Sequence, residues 1–321
     1  MAIITRSNAD ALIPVETSRE IIKEVAERSK LLPLMRRLPN MTAKQRTLPI
    51  QSVLPNAYFV DGEVTSTNLQ GQKQTTNAEW SKLTLTAEEL AVIVPIPEAV
   101  LDDAEYDIWG EIRPQIVEAL DIAIDKAILF GTNKPASWGD AIVPAATTAK
   151  NTIALGTNRD VASDIIGVGG LMALVENDGY RVNGFLADGS FAPYLRDLRA
   201  TDGQPIYVNA LTQYAADTIL GRPIEYDNSG TFDTSKALMV AGDFSKAVYA
   251  IRQDVTYKVL DQAVIQDAEG NILYNLAQQD MVALRVVMRL GYQLAKPVTR
   301  RAGNTGFPFS VLTPKAATPE E

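Results

Sequence analysis

The carboxylates most able to do chemistry lie in one short stretch, LDDAEYD, which ends at Asp107. Asp102, Asp103 and Asp107 could bind a divalent cation through their oxygen atoms. With Glu105 they could also support a carboxylate-based hydrolase. The same stretch opens a long helical pattern, and the positive end of a helix dipole attracts carboxylates. The sequence therefore favours a helix-capping role, and we predict no metal site here.

Two residue types that enzymes commonly use are missing from the chain. Its 321 residues contain no histidine and no cysteine. This excludes disulfides and thiolate metal sites, and it removes the usual general base and proton shuttle. Catalysis would have to depend on carboxylate, lysine, tyrosine or serine side chains. We therefore predict a protein that is not an enzyme and needs no cofactor.

Three further motifs have a structural interpretation. The stretch DQAVIQDAEGNIL misses the spacing of a twelve-residue calcium loop, and its DAEGN segment predicts a hairpin turn. The GVGG segment at 167–170 lies inside a helical pattern, whereas a dinucleotide site needs glycines between a strand and a helix. The tryptophans are far apart in sequence, which favours core or contact anchors over a ligand cage; they are Trp80, Trp109 and Trp138.

Composition indicates a globular protein of about two domains or one large elaborated domain. Hydrophobic residues make up 46% of the chain and charged residues 21%, with a net charge of −9. Such a charge repels nucleic acid at long range, and we interpret the pairs Arg36-Arg37 and Arg300-Arg301 as solvated charges. The sequence lacks a signal peptide pattern and an apolar run of ~18 residues, so we predict no membrane contact.

The first third of the chain predicts an arm followed by a long hairpin. Residues 1–46 form the arm, with a helix capped at Thr17 or Ser18 and ended by Pro33. Residues 47–97 form the hairpin, whose outgoing leg contains two prolines and therefore suits a sheet edge. A two-stranded ribbon is marginally stable alone in water. Another surface must therefore cover this hairpin.

A long helix is predicted next, within 98–134. Apolar residues recur mainly every fourth position from Ile108 to Ile128, and Gly131 ends the pattern. Pro114 either kinks this helix or marks the first position of its main part. The remainder predicts an α/β region over 135–243, long alternating strands over 244–302, and a C-terminal tail over 303–321, whose acidic segment SVLTPKAATPEE is predicted to be disordered.

Seven segments in order carry a family resemblance. They are ELAVIVPIP, EAVLDDAEYDIWGEI with ALDIAIDKAILFGTN, FLADGSFAPYLRDLRATDGQPIY, ILGRPIEYDN, VAGDFSKAVYAIRQDVTYKV and ALRVVMRLGYQLAKPVTRRA. The chain resembles the major capsid protein family of tailed bacteriophages, whose fold is shared with encapsulins. The resemblance implies an α+β capsid fold with an N-terminal arm, an extended β-hairpin loop, a peripheral domain containing a long spine helix, and an α/β axial domain.

The resemblance also implies how copies of the chain assemble. Hexamers and pentamers would form an icosahedral shell in the bacterial cytoplasm and enclose DNA without sequence-specific binding. A portal protein would be a partner, and a decoration protein is a candidate partner. Either a separate scaffolding protein helps assembly, or the chain assembles without one. We expect assembly contacts or hinges on the extended loop and the spine helix at Gly62, Gly71, Lys73, Trp80, Gly110 and Pro114. We expect contacts at the axial tip at Asp202, Gly203, Asp227 and Asn228.

Two alternatives to a phage shell stay open at this point. An encapsulin-like nanocompartment would share the fold but would carry a cargo-docking groove. A carboxylate-based hydrolase would use the acidic cluster and would leave the bare hairpin unexplained. Some relatives join a loop lysine to a neighbour's asparagine; Lys73 or Lys82 with Asn304 would be the candidates, and we do not expect this bond.

Overall fold

The computed structural model describes residues 28–60, 73, 75–103, 107–199, 217–267 and 269–315. Its helices are α1 (Leu31–Leu34), α2 (Glu98–Asp103), α3 (Ile108–Phe130), α4 (Ile142–Thr148), α5 (Val161–Ile166), α6 (Leu171–Asn177) and α7 (Ala192–Arg196). Its strands are β1 (Arg36–Arg37), β2 (Gln45–Val53), β3 (Glu79–Pro97), β4 (Thr152–Ala154), β5 (Gly184–Asp188), β6 (Thr218–Ile219), β7 (Arg222–Asp227), β8 (Met239–Gly242), β9 (Ala247–Leu260), β10 (Val264–Gln266), β11 (Ile272–Asn275), β12 (Met281–Leu294) and β13 (Phe309–Thr313). The α+β prediction is confirmed.

One sheet of five strands contains the predicted hairpin. Its order is β1-β9-β12-β3-β2, and β3 is antiparallel to both of its neighbours. The second half of β3 pairs with β12, from Ala87 to Pro97, while its first half pairs with β2, from Glu79 to Thr86. The paired legs of the hairpin are confirmed. Pro49 lies in the edge strand β2, where its missing N–H costs no bond inside the sheet.

The predicted continuous helix from residue 98 is wrong. Asp107 has φ −74° and ψ 85°, outside the helical region, and its side chain accepts a hydrogen bond from the Gly110 N–H at 3.0 Å. A new helix, α3, therefore begins at Ile108. Pro114 lies in its second turn, so the alternative that it occupies the first helical position is also wrong. Gly131 ends α3 with φ 77°, a left-handed conformation that glycine adopts without strain.

The helix α3 packs on the five-stranded sheet with the face that its periodicity predicts. Ile116 and Leu120 form a buried cluster with Leu284 and Val286 of β12. Further along, Ile124 joins the main core. The outward positions between them remain partly or fully exposed, as in other amphipathic helices.

A second sheet holds six strands in the order β4-β13-β8-β5-β7-β6. The predicted disordered tail is wrong in its first part, because Phe309–Thr313 forms β13 in the interior of this sheet. Strand β13 is parallel to β4 and antiparallel to β8. Phe309, Val311 and Leu312 are completely buried there. Residues 316–321 lie outside the described range.

Three smaller predictions can be compared with the structure. The prediction that the GVGG segment at 167–170 lies inside a helix is wrong, since it separates two helices, α5 and α6. A Cβ on Gly170 would come within 2.8 Å of backbone oxygens of α5. The described end of the arm contains α1, with Pro33 inside it instead of after it. The DAEGN turn is confirmed, since it connects the antiparallel strands β10 and β11.

Candidate assembly surfaces

The outer half of the β2–β3 ribbon has both strands and their flanking residues open to solvent. Phe59 is fully exposed, Tyr58 is half exposed, and Trp80 is 66% exposed. All described residues from Pro55 to Val60 and from Thr75 to Lys82 are exposed. An aromatic side chain has a large hydrophobic area, so several of them together mark a contact surface.

The segment that follows the outer end of β2 makes polar contacts with the body. Arg300 donates to the Pro55 carbonyl at 2.8 Å and to the Asn56 side chain at 3.4 Å. The Asn56 N–H donates to Thr76 Oγ1 at 2.9 Å, which joins the two legs. The sequence predicted that the pair Arg300-Arg301 consists of solvated charges. Arg300 instead positions the ribbon.

The predicted loop contacts divide between described and undescribed residues. Lys73 and Trp80 are exposed near the end of the ribbon, whereas Gly62 and Gly71 lie outside the described residues. Gly110 and Pro114 lie in the first two turns of α3. A Cβ on Gly110 would come within 2.6 Å of the Asp107 carboxylate, so this glycine accommodates the helix cap. Its role as a hinge stays a prediction.

The predicted axial contacts are also divided. Asp202 and Gly203 lie outside the described residues. Asn228 is exposed, but Asp227 is buried and accepts hydrogen bonds from Ser229. The Asp227 side chain is therefore not on the described surface of the subunit.

The hairpin β10–β11 is a second apolar surface, which the sequence analysis treated only as a turn. Val264 and three consecutive residues of β11, Ile272, Leu273 and Tyr274, are exposed. Asp267 joins the two ends of the turn, since it accepts hydrogen bonds from Asn271, and these bonds lower the pKa of its carboxyl group. The missed signal was three consecutive apolar residues in a short linker, because such a strand has apolar side chains on both faces.

A groove of 340 Å³ lies between α3, the middle of β3 and the loop that follows α3. Its apolar lining comes from α3, β3 and the neighbouring strand β12, and includes Leu90, Ala119, Ile122, Ala123 and Leu290. Glu88 and Lys126 add opposite charges to the lining. The groove therefore offers a partner peptide an apolar base with polar groups beside it.

The acidic stretch does not assemble a catalytic site among the described residues. Asp102 and Asp103 are exposed at the C-terminal end of α2, and Asp107 is occupied in capping α3. The capping role is therefore correct for Asp107 alone, and Glu105 lies outside the described range. No group of three or more acidic side chains within the described ranges could hold a metal ion, and no helix there is long and apolar enough to cross a membrane.

Comparisons with known proteins agree across almost the whole chain. The model of the phage capsid family matches residues 9–298. The major capsid protein of Staphylococcus phage 80alpha is 27% identical over 297 residues, which cover 91% of this chain and 85% of that protein.

Solved structures are similar over the same extent. One from Microbacterium phage Oxtober96 is 37% identical, with a TM-score of 0.81, and the match covers 98% of this chain and 100% of that one. Another from Mycobacterium phage Adephagia is 31% identical, with a TM-score of 0.83, covering 99% and 100%. The likeness to these solved structures therefore extends over nearly the whole chain.

Proposed function

The chain belongs to the phage capsid family, and from this premise we propose that its copies form hexamers and pentamers of an icosahedral shell around phage double-stranded DNA. It is a major capsid protein and a virion component. The family match favours this function over an encapsulin-like compartment or a hydrolase. The observation that carries the proposed arrangement is the bare outer half of the β2–β3 ribbon.

In the proposed shell, the ribbon of one subunit lies across α3 of the next. Its exposed aromatic residues Tyr58, Phe59 and Trp80 match the apolar base of the groove beside α3. Burial of apolar area supplies the attraction, at about 25 cal/mol per Å². Lys73 would contact the same neighbour near the end of the ribbon.

Further contacts make the association multivalent. The axial tip, with Asp202, Gly203 and Asn228, would join subunits within one hexamer or pentamer. The N-terminal arm would hold another neighbour. Several weak contacts made at once give a high overall affinity, because each one after the first is effectively intramolecular. The hinges that adapt one chain to two ring sizes would be Gly62, Gly71, Gly110 and Pro114.

The charge of the chain suits a container for DNA. A net charge of −9 disfavours tight nonspecific binding of the packaged DNA. Assembly would take place in the bacterial host cytoplasm with a separate scaffolding protein, and a portal protein and a decoration protein would join the shell. The proposed function needs no catalytic residue, no cofactor and no metal ion.

The ribbon proposal is tested by replacing residues 62–78 with a short glycine-serine turn. The subunit is expected to fold normally, because the described residues in this range, 73 and 75–78, are all exposed. Electron microscopy is expected to show free subunits or small oligomers in place of closed particles. Normal particles from this variant would refute the role of the ribbon.

A matched control replaces the same residues by a glycine-serine segment of equal length. If reach alone matters, this control restores closed particles. If the side chains matter, it fails like the deletion. Boiling wild-type particles, which keep Lys73, in detergent tests the covalent bond between subunits: a ladder of oligomers would reveal it, and a single monomer band is expected.

A further inference from the structure

A buried carboxylate lies beneath the point where the N-terminal arm meets the body. Asp125 of α3 is only 4% exposed and accepts a hydrogen bond from Ser29 Oγ at 2.9 Å. The same hydroxyl oxygen accepts from the Leu32 N–H at 3.0 Å, and the Ser29 N–H donates to Asp121 at 3.4 Å. Ser29 therefore connects the first turn of α1 to two carboxylates on α3.

Apolar packing continues this connection along residues 29–35, which we call the arm root. Leu31 and Met35 are buried in the main core with Ile124 and Ile128 of α3. Residues 1–28 precede the arm root. The arm therefore leaves the body from a short segment that is held by the Ser29 hydroxyl and N–H groups, the Leu31 backbone and a few apolar side chains.

A second buried carboxylate approaches from the other sheet. Asp227, at the end of β7, is 5% exposed. Its Oδ1 accepts from Ser229, while its Oδ2 has no hydrogen-bond partner among the described residues. Its charge acts on Asp125, as does that of Asp121, and Arg28 of the arm acts on Asp121. Among the described residues, no basic side chain offsets the charge of Asp125 itself.

These surroundings disfavour the ionised form of Asp125. Burial raises the pKa of its carboxyl group from the ordinary 3.8 to about 8, the Ser29 hydroxyl lowers it, and the charges of Asp121 and Asp227 raise it. Burial also raises the pKa of Asp121. The ionised carboxylate is costly because it loses hydration and faces a like charge.

We propose that Asp125 makes the docking of the arm root depend on pH, with the neutral carboxyl group keeping the root in place and the ionised group loosening it. Opening of the root lets water reach Asp125 and separates it from Asp227. The docked state therefore binds one more proton than the open state between pH 3.8 and about 8. Docking is strongest at low pH, weakens up to tenfold per pH unit as the pH rises, and becomes constant above about 8.

This regulation is independent of the proposed shell arrangement, since it is a property of one subunit. Its consequence for a shell protein is that the arm becomes more available to a neighbour at neutral and alkaline pH than in acid. A failure of the ribbon proposal would leave this inference untouched, and the reverse also holds.

Amide hydrogen exchange of the full-length subunit tests the proposal. The protection of peptides covering residues 29–36 is measured from pH 5 to pH 9.5 and corrected for the intrinsic pH dependence of exchange. The wild-type protein is expected to lose protection with rising pH up to a break near pH 8. Asp125→Asn is expected to have protection that does not vary with pH in this range, apart from a residual slope due to Asp121. An identical pH profile in both proteins would overturn the proposal.

Two other variants keep the test decisive if Asp125→Asn folds poorly. Asp227→Asn removes a like charge, so the break is expected at lower pH. Ser29→Ala removes a hydrogen bond to the carboxylate, so the break is expected at higher pH. Asp140→Asn, which changes an exposed carboxylate paired with Lys296, is the control and should leave the break in place. Breaks that do not move in opposite directions would also overturn the proposal.

Discussion

Apolar side chains are buried in the interior of the six-stranded sheet but exposed on the outer half of the β2–β3 ribbon. Phe309 in β13 is completely buried and packs edge-on against Phe244, with ring centroids 5.2 Å apart. Phe59 beside the ribbon is completely exposed. The first phenylalanine stabilises the subunit, whereas the second can stabilise only something that covers it.

This difference separates folding from assembly within one chain. Substitutions in the sheet interior should destabilise the subunit and reduce assembly as a consequence. Substitutions on the ribbon should leave the subunit intact and act only on the particle. The following predictions test that separation, from the largest expected effect to the smallest.

Phe309→Ala is expected to cost about 3–5 kcal/mol of unfolding free energy, because it removes a large side chain from a tightly packed interior. Denaturant unfolding of the purified subunit measures this cost. Phe309→Leu is the matched control and should cost clearly less. A loss below 1 kcal/mol for the alanine variant would show that β13 is not part of a rigid core.

The double substitution Phe59→Ala and Trp80→Ala is expected to change subunit stability by less than about 0.5 kcal/mol, because both side chains are exposed. At an interface, each truncated aromatic anchor can cost about 2 kcal/mol or more. Closed particles should therefore be lost or should form only at much higher concentration. Particle yield by sedimentation measures the second effect, and an unchanged yield would contradict the contact role.

Asp107→Ala is expected to cost about 1 kcal/mol, because it removes the side-chain cap from the first turn of α3. Asp102→Ala is a suitable control, since that carboxylate lies in the last turn of α2, where the helix dipole disfavours negative charge. Thermal unfolding of both variants measures the difference. Equal losses would mean that capping does not explain the start of α3.

The smallest effect is expected for Glu89→Gln, which removes the ion pair between Glu89 of β3 and Arg289 of β12. Both side chains are well exposed, so the loss should be below about 1 kcal/mol and should shrink as salt is added. Unfolding at low and high salt measures this. A large loss of unfolding free energy that does not depend on salt would mean that Glu89 and Arg289 are shielded from solvent.

Much of the fold could be predicted from local pattern. The alternation of apolar and polar residues in KAVYAIRQDVTYKVL and MVALRVVMRLGYQLA predicted β9 and β12. The recurrence of isoleucine or leucine at about every fourth position predicted α3. These signals are strong because each element buries one face along its whole length. The paired legs of the ribbon also followed from alternation and from the prolines that suit an edge strand.

The misses have physical reasons. Strand β13 is short, ends just before a proline and an acidic stretch, and pairs with a strand about 160 residues earlier, which local pattern does not reveal. The break before Ile108 arises because the Asp107 side chain accepts a hydrogen bond from the Gly110 N–H and so competes with helix continuation. The burial of Asp227 depends on how the two sheets meet. An aspartate within the apolar pattern of α3, at position 125, was the available signal for the buried carboxylate.

The central claim, that another copy of the chain covers the ribbon, is tested most directly by amide hydrogen exchange of residues 53–60 and 75–82. Exchange is compared between unassembled subunits and closed particles under the same conditions. The account predicts fast exchange in subunits and strong protection in particles, with little change in β13. Equal exchange of the ribbon in both states would contradict it.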